Sequence, residues 1–218
     1  LELVTVMNID YSKFENIRKF NNYNQKIIVI NGFIKKSREE SIYNSLNKSF
    51  KNPTKIFKHK DKIVKYEFND STKYNKDFKN FYKELNSKFF LNKLEKIFNI
   101  NKLYSDKNKL YSGLNVSNKN SKLNEHVDFN YNDTLKKYRS INLLLYLNTK
   151  FKKSDGGRFY YREFKNKKRK YIDPIFNTAV IFLTNANTPH GFTKTNKKRV
   201  SLNVYYYTKQ NLSLSKKK

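Results

Sequence analysis

This 218-residue chain contains three histidines, and two of them stand where they could share an ion. His126 is followed two positions later by Asp128, in the stretch EHVDFN. On a β-strand, side chains at i and i+2 point to one face with Cα atoms about 7 Å apart, so this pair makes a metal-binding half-site. His190, in NTPHGF just after the apolar stretch TAVIFLT, is available as a third ligand. Two imidazoles and one carboxylate leave three coordination positions open, which suits a non-haem Fe(II) that must bind a co-substrate and O2. Zn(II) in a His2Asp site is the competing metal. Hydrogen bonding alone would account for either histidine taken singly. The remaining one, His59, lies in the basic run KIFKHKDK and reads as a solvated surface residue.

Arg199 opens the stretch RVSLNVYYYT, shortly after His190. As a strand, that stretch places Arg199, Ser201, Asn203 and Tyr205 on one face. A guanidinium turned into a barrel needs an anion, and a carboxylate gripped by two N–H groups is its best match. A protein Asp or Glu would serve. So would the far carboxylate of a dicarboxylate such as 2-oxoglutarate, whose 2-oxo acid end chelates iron. Tyr146 offers a hydroxyl from the stretch SINLLLYLN, with Asn142 and Leu144 on its face.

The elements that must position these groups are mostly strands. SINLLLYLN (140–148) is a nearly continuous apolar run and predicts a strand buried on both faces. RFYYREF (158–164), TAVIFLT (178–184) and RVSLNVYYYT (199–208) are further strands, with SDGG as a turn and KNKKRK (165–170) as a solvated basic loop. Strands at this spacing argue for a β-sandwich or barrel. The first 110 residues mix both types. KIIVINGF and KIVKYEF read as strands, the segment 35–50 as a helix, and 77–98 as a helical stripe of Phe, Leu and Ile interrupted once.

Composition sets wider bounds. Eighteen Phe and seventeen Tyr supply a core, and no apolar run approaches the ~18 residues of a membrane span. The absence of cysteine removes disulfides and thiolate chemistry, and the expected location is cytoplasmic. A net charge of +29 invites a polyanion, with the aromatic and basic stretch YYREFKNKKRKY as the candidate patch. Yet 40 of the 47 basic residues are Lys and 32 residues are Asn, spread along the chain, so the charge also fits an AT-rich coding bias. Only five Gly occur, and three of them, Gly156, Gly157 and Gly191, fall in the last third near a histidine or a strand boundary, where the backbone needs them.

HVDFN, RSINLLLYLN, DGGRF, HGF and RVSLNVYYY, in this order and spacing, resemble the Fe(II)/2-oxoglutarate-dependent dioxygenases, and among them the prolyl 4-hydroxylase-like branch. The resemblance implies a mainly β fold with flanking α: a double-stranded β-helix (jelly roll) core with N-terminal helices packed on it. One domain would span 1–218, with an α/β support region at 1–110, a catalytic core at 111–208 and a basic tail at 209–218. It implies Fe(II) at His126, Asp128 and His190, and 2-oxoglutarate held by Arg199 and Tyr146. Asn142, Asn203 and Tyr205 would line the pocket, and Arg139 would stand at its entrance. O2 would be the second co-substrate and ascorbate a candidate reductant. The implied reaction hydroxylates an unactivated C–H bond, first of all that of a prolyl residue in a peptide or protein, with release of succinate and CO2. Small-molecule substrates remain open, whereas nucleobase demethylation is disfavoured because RVSLNVYYY lacks a second Arg six residues after the first. The chain departs from the branch where a tyrosine usually precedes the first ligand: here GLNVSNKN offers Asn115 or Ser117 instead. The rival reading is a non-catalytic basic jelly roll that binds nucleic acid or another polyanion.

Overall fold

The computed structural model of the protein describes residues 7–20, 25–50, 52–59, 62–106 and 112–212. Its strands are β1 (Ile27–Asn31), β2 (Lys55–His59), β3 (Lys62–Phe68), β4 (Tyr104–Ser105), β5 (Gly113–Ser117), β6 (Leu123–His126) and β7 (Tyr131–Asn132). They continue with β8 (Lys137–Tyr146), β9 (Phe159–Arg162), β10 (Arg169–Ile172), β11 (Thr178–Leu183), β12 (His190–Phe192) and β13 (Arg199–Thr208). Three helices, α1 (Glu39–Asn47), α2 (Lys76–Leu85) and α3 (Lys88–Phe98), precede the main run of strands.

Two antiparallel sheets result. The larger runs β1-β11-β8-β13-β5-β3-β2, with β4 on β13 and β7 on β8; the smaller runs β10-β9-β12-β6. From β5 onward the chain alternates between them, visiting the larger sheet at β5, β8, β11 and β13 and the smaller at β6, β9 and β12. That alternation is the winding of a jelly roll. Strands from the N-terminal part close both edges of the larger sheet, β1 beside β11 and β3 beside β5.

The continuous apolar runs have a physical reason. Successive residues of a strand face opposite ways, and both faces of β8, β11 and β13 are covered. Leu143, Leu145, Ile181, Leu202, Val204 and Tyr206 belong to the core shared with Phe78, Phe81, Leu85, Phe90, Leu94 and Phe98 of the helices. Leu144, Tyr146, Val180 and Phe182 face the other way and pack with Phe159 of the smaller sheet. The helices hold their place by shape and by polar anchors: the buried Tyr206 hydroxyl donates to the Leu85 carbonyl and the buried Lys26 ammonium to the Phe98 carbonyl, both at 2.9 Å. The expected single interruption of the 77–98 stripe falls at Asn86–Ser87. There the Ser87 side chain accepts from the Phe90 N–H, capping a new helix.

Boundaries moved in the expected strands. The strand expected at 140–148 occupies Lys137–Tyr146, and that at 158–164 shortens to Phe159–Arg162. Arg169 and Lys170, placed in a loop by their charge, are the start of β10, paired with Arg162 and Tyr161. Cross-strand pairing and an ion pair to Glu125 outweigh the weak strand preference of these residues. Of the basic tail only 209–212 fall within the described residues.

Leu143, fully buried and paired with Ile181 and Val204 at the centre of the larger sheet, sets a test. Leu143→Ala is expected to lower unfolding free energy by about 3 kcal/mol, read from the urea midpoint, through lost burial and the cavity left behind.

Candidate metal centre and co-substrate cavity

The histidines meet through sheet register. β6 and β12 pair so that His126 lies directly opposite His190, and their ring centroids are 4.6 Å apart. Asp128 lies two residues beyond His126, past the end of β6, and its Oδ1 is 3.6 Å from the Nε2 of each histidine. The three candidate ligand atoms all fall within 4.8 Å of one another.

Each group is oriented from behind. His126 Nδ1 faces the Asn124 carbonyl and His190 Nδ1 the Thr188 carbonyl, both at 3.0 Å. A carbonyl only accepts, so in the neutral ring the proton sits on Nδ1 and the Nε2 lone pair faces Asp128. Asn142 donates its Nδ2 to Asp128 Oδ2 at 3.1 Å, leaving Oδ1 toward the histidines. His190 is wedged between Phe159, stacked at 5.6 Å, and Phe182, edge-on at 4.7 Å. Backing of this kind is what fixes ligands around a divalent metal. The donor set, two Nε2 and one carboxylate oxygen on a shared centre with nothing inserted between them, fits a divalent cation such as Fe(II).

The same side chains border a cavity of about 260 Å³ between the sheets, lined also by Leu144, Phe192 and Arg199. Arg199 is buried at the start of β13. Its Nε donates to the Gly157 carbonyl at 3.1 Å and its Nη2 to the Tyr146 hydroxyl at 3.3 Å, while its plane lies over Phe192. Among the described residues no carboxylate lies within salt-bridge distance of it. The alternative of a protein Asp or Glu partner is thus absent there, and a buried guanidinium without an anion is costly.

The SDGG turn explains its glycines. Gly156 and Gly157 have φ near +66 and +67, and a Cβ on Gly156 would stand 2.1 Å from the Lys194 carbonyl oxygen. Only this tight turn delivers the Gly157 carbonyl to Arg199.

The structure separates the remaining expected residues by depth. Asn142, Asn203 and Tyr205 line the cavity. Tyr146 is fully buried and sits behind Arg199 rather than on the cavity surface. Arg139 is likewise set back, its guanidinium stacked 3.9 Å above the Tyr205 ring. Asn115 and Ser117, in the strand that lacks the usual tyrosine, both face the cavity. Two charged lining residues went unforeseen: Lys65 and Glu67 of β3. The alternation of KIVKYEF already placed them together on the polar face of that strand, which was the available signal. Val127 and Phe129, flanking Asp128, are exposed, Phe129 by 70%. His59 lies outside the described side chains. In the stretch once considered for a polyanion, Arg162 and Arg169 both bind Glu125, and Lys170 approaches Glu163, so its cations are partly neutralised.

Residues 112–207 match the family model described as the 2OG-Fe(II) oxygenase superfamily. No curated protein sequence matches the chain. Among solved structures, the fold is similar to a prolyl hydroxylase of Trichoplax adhaerens solved with a hypoxia-inducible-factor peptide fragment (TM-score 0.61, 16% identity, 83% of each chain covered). It is also similar to a prolyl 4-hydroxylase of Phytophthora capsici (TM-score 0.59, 18% identity, 93% of this chain and 66% of that one). A third is the viral collagen prolyl hydroxylase of Paramecium bursaria Chlorella virus 1 (TM-score 0.53, 17% identity, 84% and 89%). At these identities the likeness is one of fold.

Electrostatics favour the ligand-ready state. Burial alone would raise the Asp128 carboxyl, but His126 and His190 in their protonated forms, the Arg139 guanidinium and the Asn142 N–H hold it down at about 2. Asp128 in turn lifts His126 above its ordinary value, against burial. Burial dominates at His190 and lowers it, keeping that ring neutral. In the unfolded chain an aspartate protonates near 3.8. The metal-free protein therefore holds this carboxylate's stabilisation, about 2 kcal/mol, above about pH 4 and loses it as pH falls through about 2. Urea midpoints measured across that window should fall less steeply in Asp128→Asn than in the unsubstituted protein.

Proposed function

We propose that this chain, whose residues 112–207 match the 2OG-Fe(II) oxygenase superfamily model, hydroxylates an unactivated C–H bond of a polypeptide, with a prolyl residue as the favoured target. The observation that carries the reading is Arg199. It is a buried cation, without a carboxylate partner among the described residues, opening onto the cavity that holds His126, Asp128 and His190.

Charge supports a dianionic co-substrate. The charged side chains lining the cavity are Lys65, Glu67, Asp128 and Arg199, two of each sign. A divalent metal adds two positive charges, and 2-oxoglutarate restores neutrality in a site where net charge is expensive. When bound, Fe(II) with 2-oxoglutarate and O2 supplies the oxidising chemistry, converting the 2-oxo acid to succinate and CO2 and placing one oxygen atom on the substrate.

The residues of this chain do the positioning. His126, Asp128 and His190 would hold the metal. Asn142 keeps Asp128 from turning away. Arg199 takes the far carboxylate with its remaining Nη1, while Tyr146 and the Gly157 carbonyl hold the guanidinium still. Leu144, Phe159, Phe182 and Phe192 make the walls apolar and limit water. Val127 and Phe129 present an exposed apolar rim beside the metal position, suited to a peptide's side chains. The Trichoplax relative was solved with a peptide, which favours a polypeptide over a small metabolite.

Anaerobic addition of Fe(II) and 2-oxoglutarate should produce a visible charge-transfer band, and aerobic turnover with a proline-containing peptide library should yield succinate and peptides heavier by one oxygen. Arg199→Ala should raise the 2-oxoglutarate requirement about 100-fold, equivalent to about 2.7 kcal/mol. An unchanged requirement would remove the anchor role from Arg199.

A further inference from the structure

Lys65 has no part in the metal centre, yet it stands in the same cross-strand row as Arg199. Lys65 of β3 pairs with Ser117 of β5, and Ser117 pairs with Arg199 of β13. All three line the cavity. Adjacent strands lie about 4.8 Å apart, so the two cations rise from backbones roughly 10 Å apart with only a serine between them. Both side chains and the Ser117 hydroxyl thus face the same cavity from neighbouring positions of one sheet face.

The ammonium is held rather than free to wander. Glu67, two residues on and on the same face, accepts from Lys65 Nζ at 2.5 Å, and the Phe57 ring of β2 lies 4.2 Å from that nitrogen. An ammonium has three N–H donors, and the carboxylate of Glu67 takes one of them. Arg199 is similarly part-used, with Nε and Nη2 engaged. The row therefore presents unspent donors from both cations, plus the Ser117 hydroxyl, to one cavity.

We infer that Lys65 is a second cationic ligand for the far carboxylate of the 2-oxo dicarboxylate, completing from β3 the anion site that Arg199 forms from β13. Glu67, which lines the same cavity, balances the ammonium while no anion is bound. This rests on the reading of Arg199 given above, and it assigns to a strand outside the family-matched segment 112–207 a direct part in co-substrate selection. It also predicts discrimination by chain chemistry: a 2-oxo acid with no far carboxylate gains nothing from Lys65.

The test is anaerobic calorimetry on the Fe(II)-loaded protein, titrating 2-oxoglutarate and, separately, 2-oxobutyrate, which keeps the chelating end and lacks the far carboxylate. Lys65→Met keeps the stem over Phe57 and removes the charge; Lys65→Arg restores it. The expected result is about a tenfold loss of 2-oxoglutarate affinity in Lys65→Met, recovery in Lys65→Arg, and equal 2-oxobutyrate affinity in all three proteins. Equal 2-oxoglutarate affinity in Lys65→Met and the unsubstituted protein would overturn the Lys65 assignment and leave the Arg199 reading standing. A parallel loss for 2-oxobutyrate would also overturn it, because the effect would then be on the shape of the site. Failure of the unsubstituted protein to bind 2-oxoglutarate at all would overturn both.

Discussion

The register of β6 against β12 governs what the molecule is able to do. Antiparallel strands bring directly opposed Cα atoms to about 5 Å, and here the opposed residues are His126 and His190. A slip of one residue would send one imidazole to the outer face and leave Asp128 with a single partner. Both strands are short, so their own pairing cannot hold that register. It is set instead by what lies behind them: the Phe159 and Phe182 rings against His190, and β9 on the far edge of β12. Gly191 lets the strands close up, since a Cβ there would stand 2.4 Å from the Leu123 carbonyl oxygen.

The larger sheet contributes by dividing its two faces between different tasks. One face of β8 and β13 is spent on the helices, through Leu143, Leu145, Val204 and Tyr206. The other carries Asn142, Arg199, Ser201, Asn203 and Tyr205 toward the cavity. Because the first face is a well-packed hydrophobic layer, the second can hold a buried guanidinium and several polar groups at a cost the fold tolerates. An anion bound there would offset that cost, so ligand binding and local stability would be two views of one interaction.

Much of this was legible beforehand, for a reason particular to this chain. Histidine, glycine and arginine are scarce in it, so His126, His190, the Gly156–Gly157 pair and Arg199 stood out against a background of Lys and Asn. Lys65 did not, since a lysine with a special place looks like the other thirty-nine until strand register sets it beside Ser117 and Arg199. The long strands β8, β11 and β13 announced themselves by apolar runs. The three- and four-residue strands β12, β6 and β10 are too short to show a period, and pairing partners rather than local preference create them. Tyr146 was placed on the same face as Asn142 and Leu144, but only three dimensions show that it stands behind Arg199 instead of on the cavity surface.

Anomalous scattering at the iron edge, from crystals prepared anaerobically with Fe(II), reaches the central claim most directly. The account requires one strong peak within about 2.2 Å of the Nε2 atoms of His126 and His190 and of a carboxylate oxygen of Asp128. A peak elsewhere, or none in that position at saturating Fe(II), would contradict it.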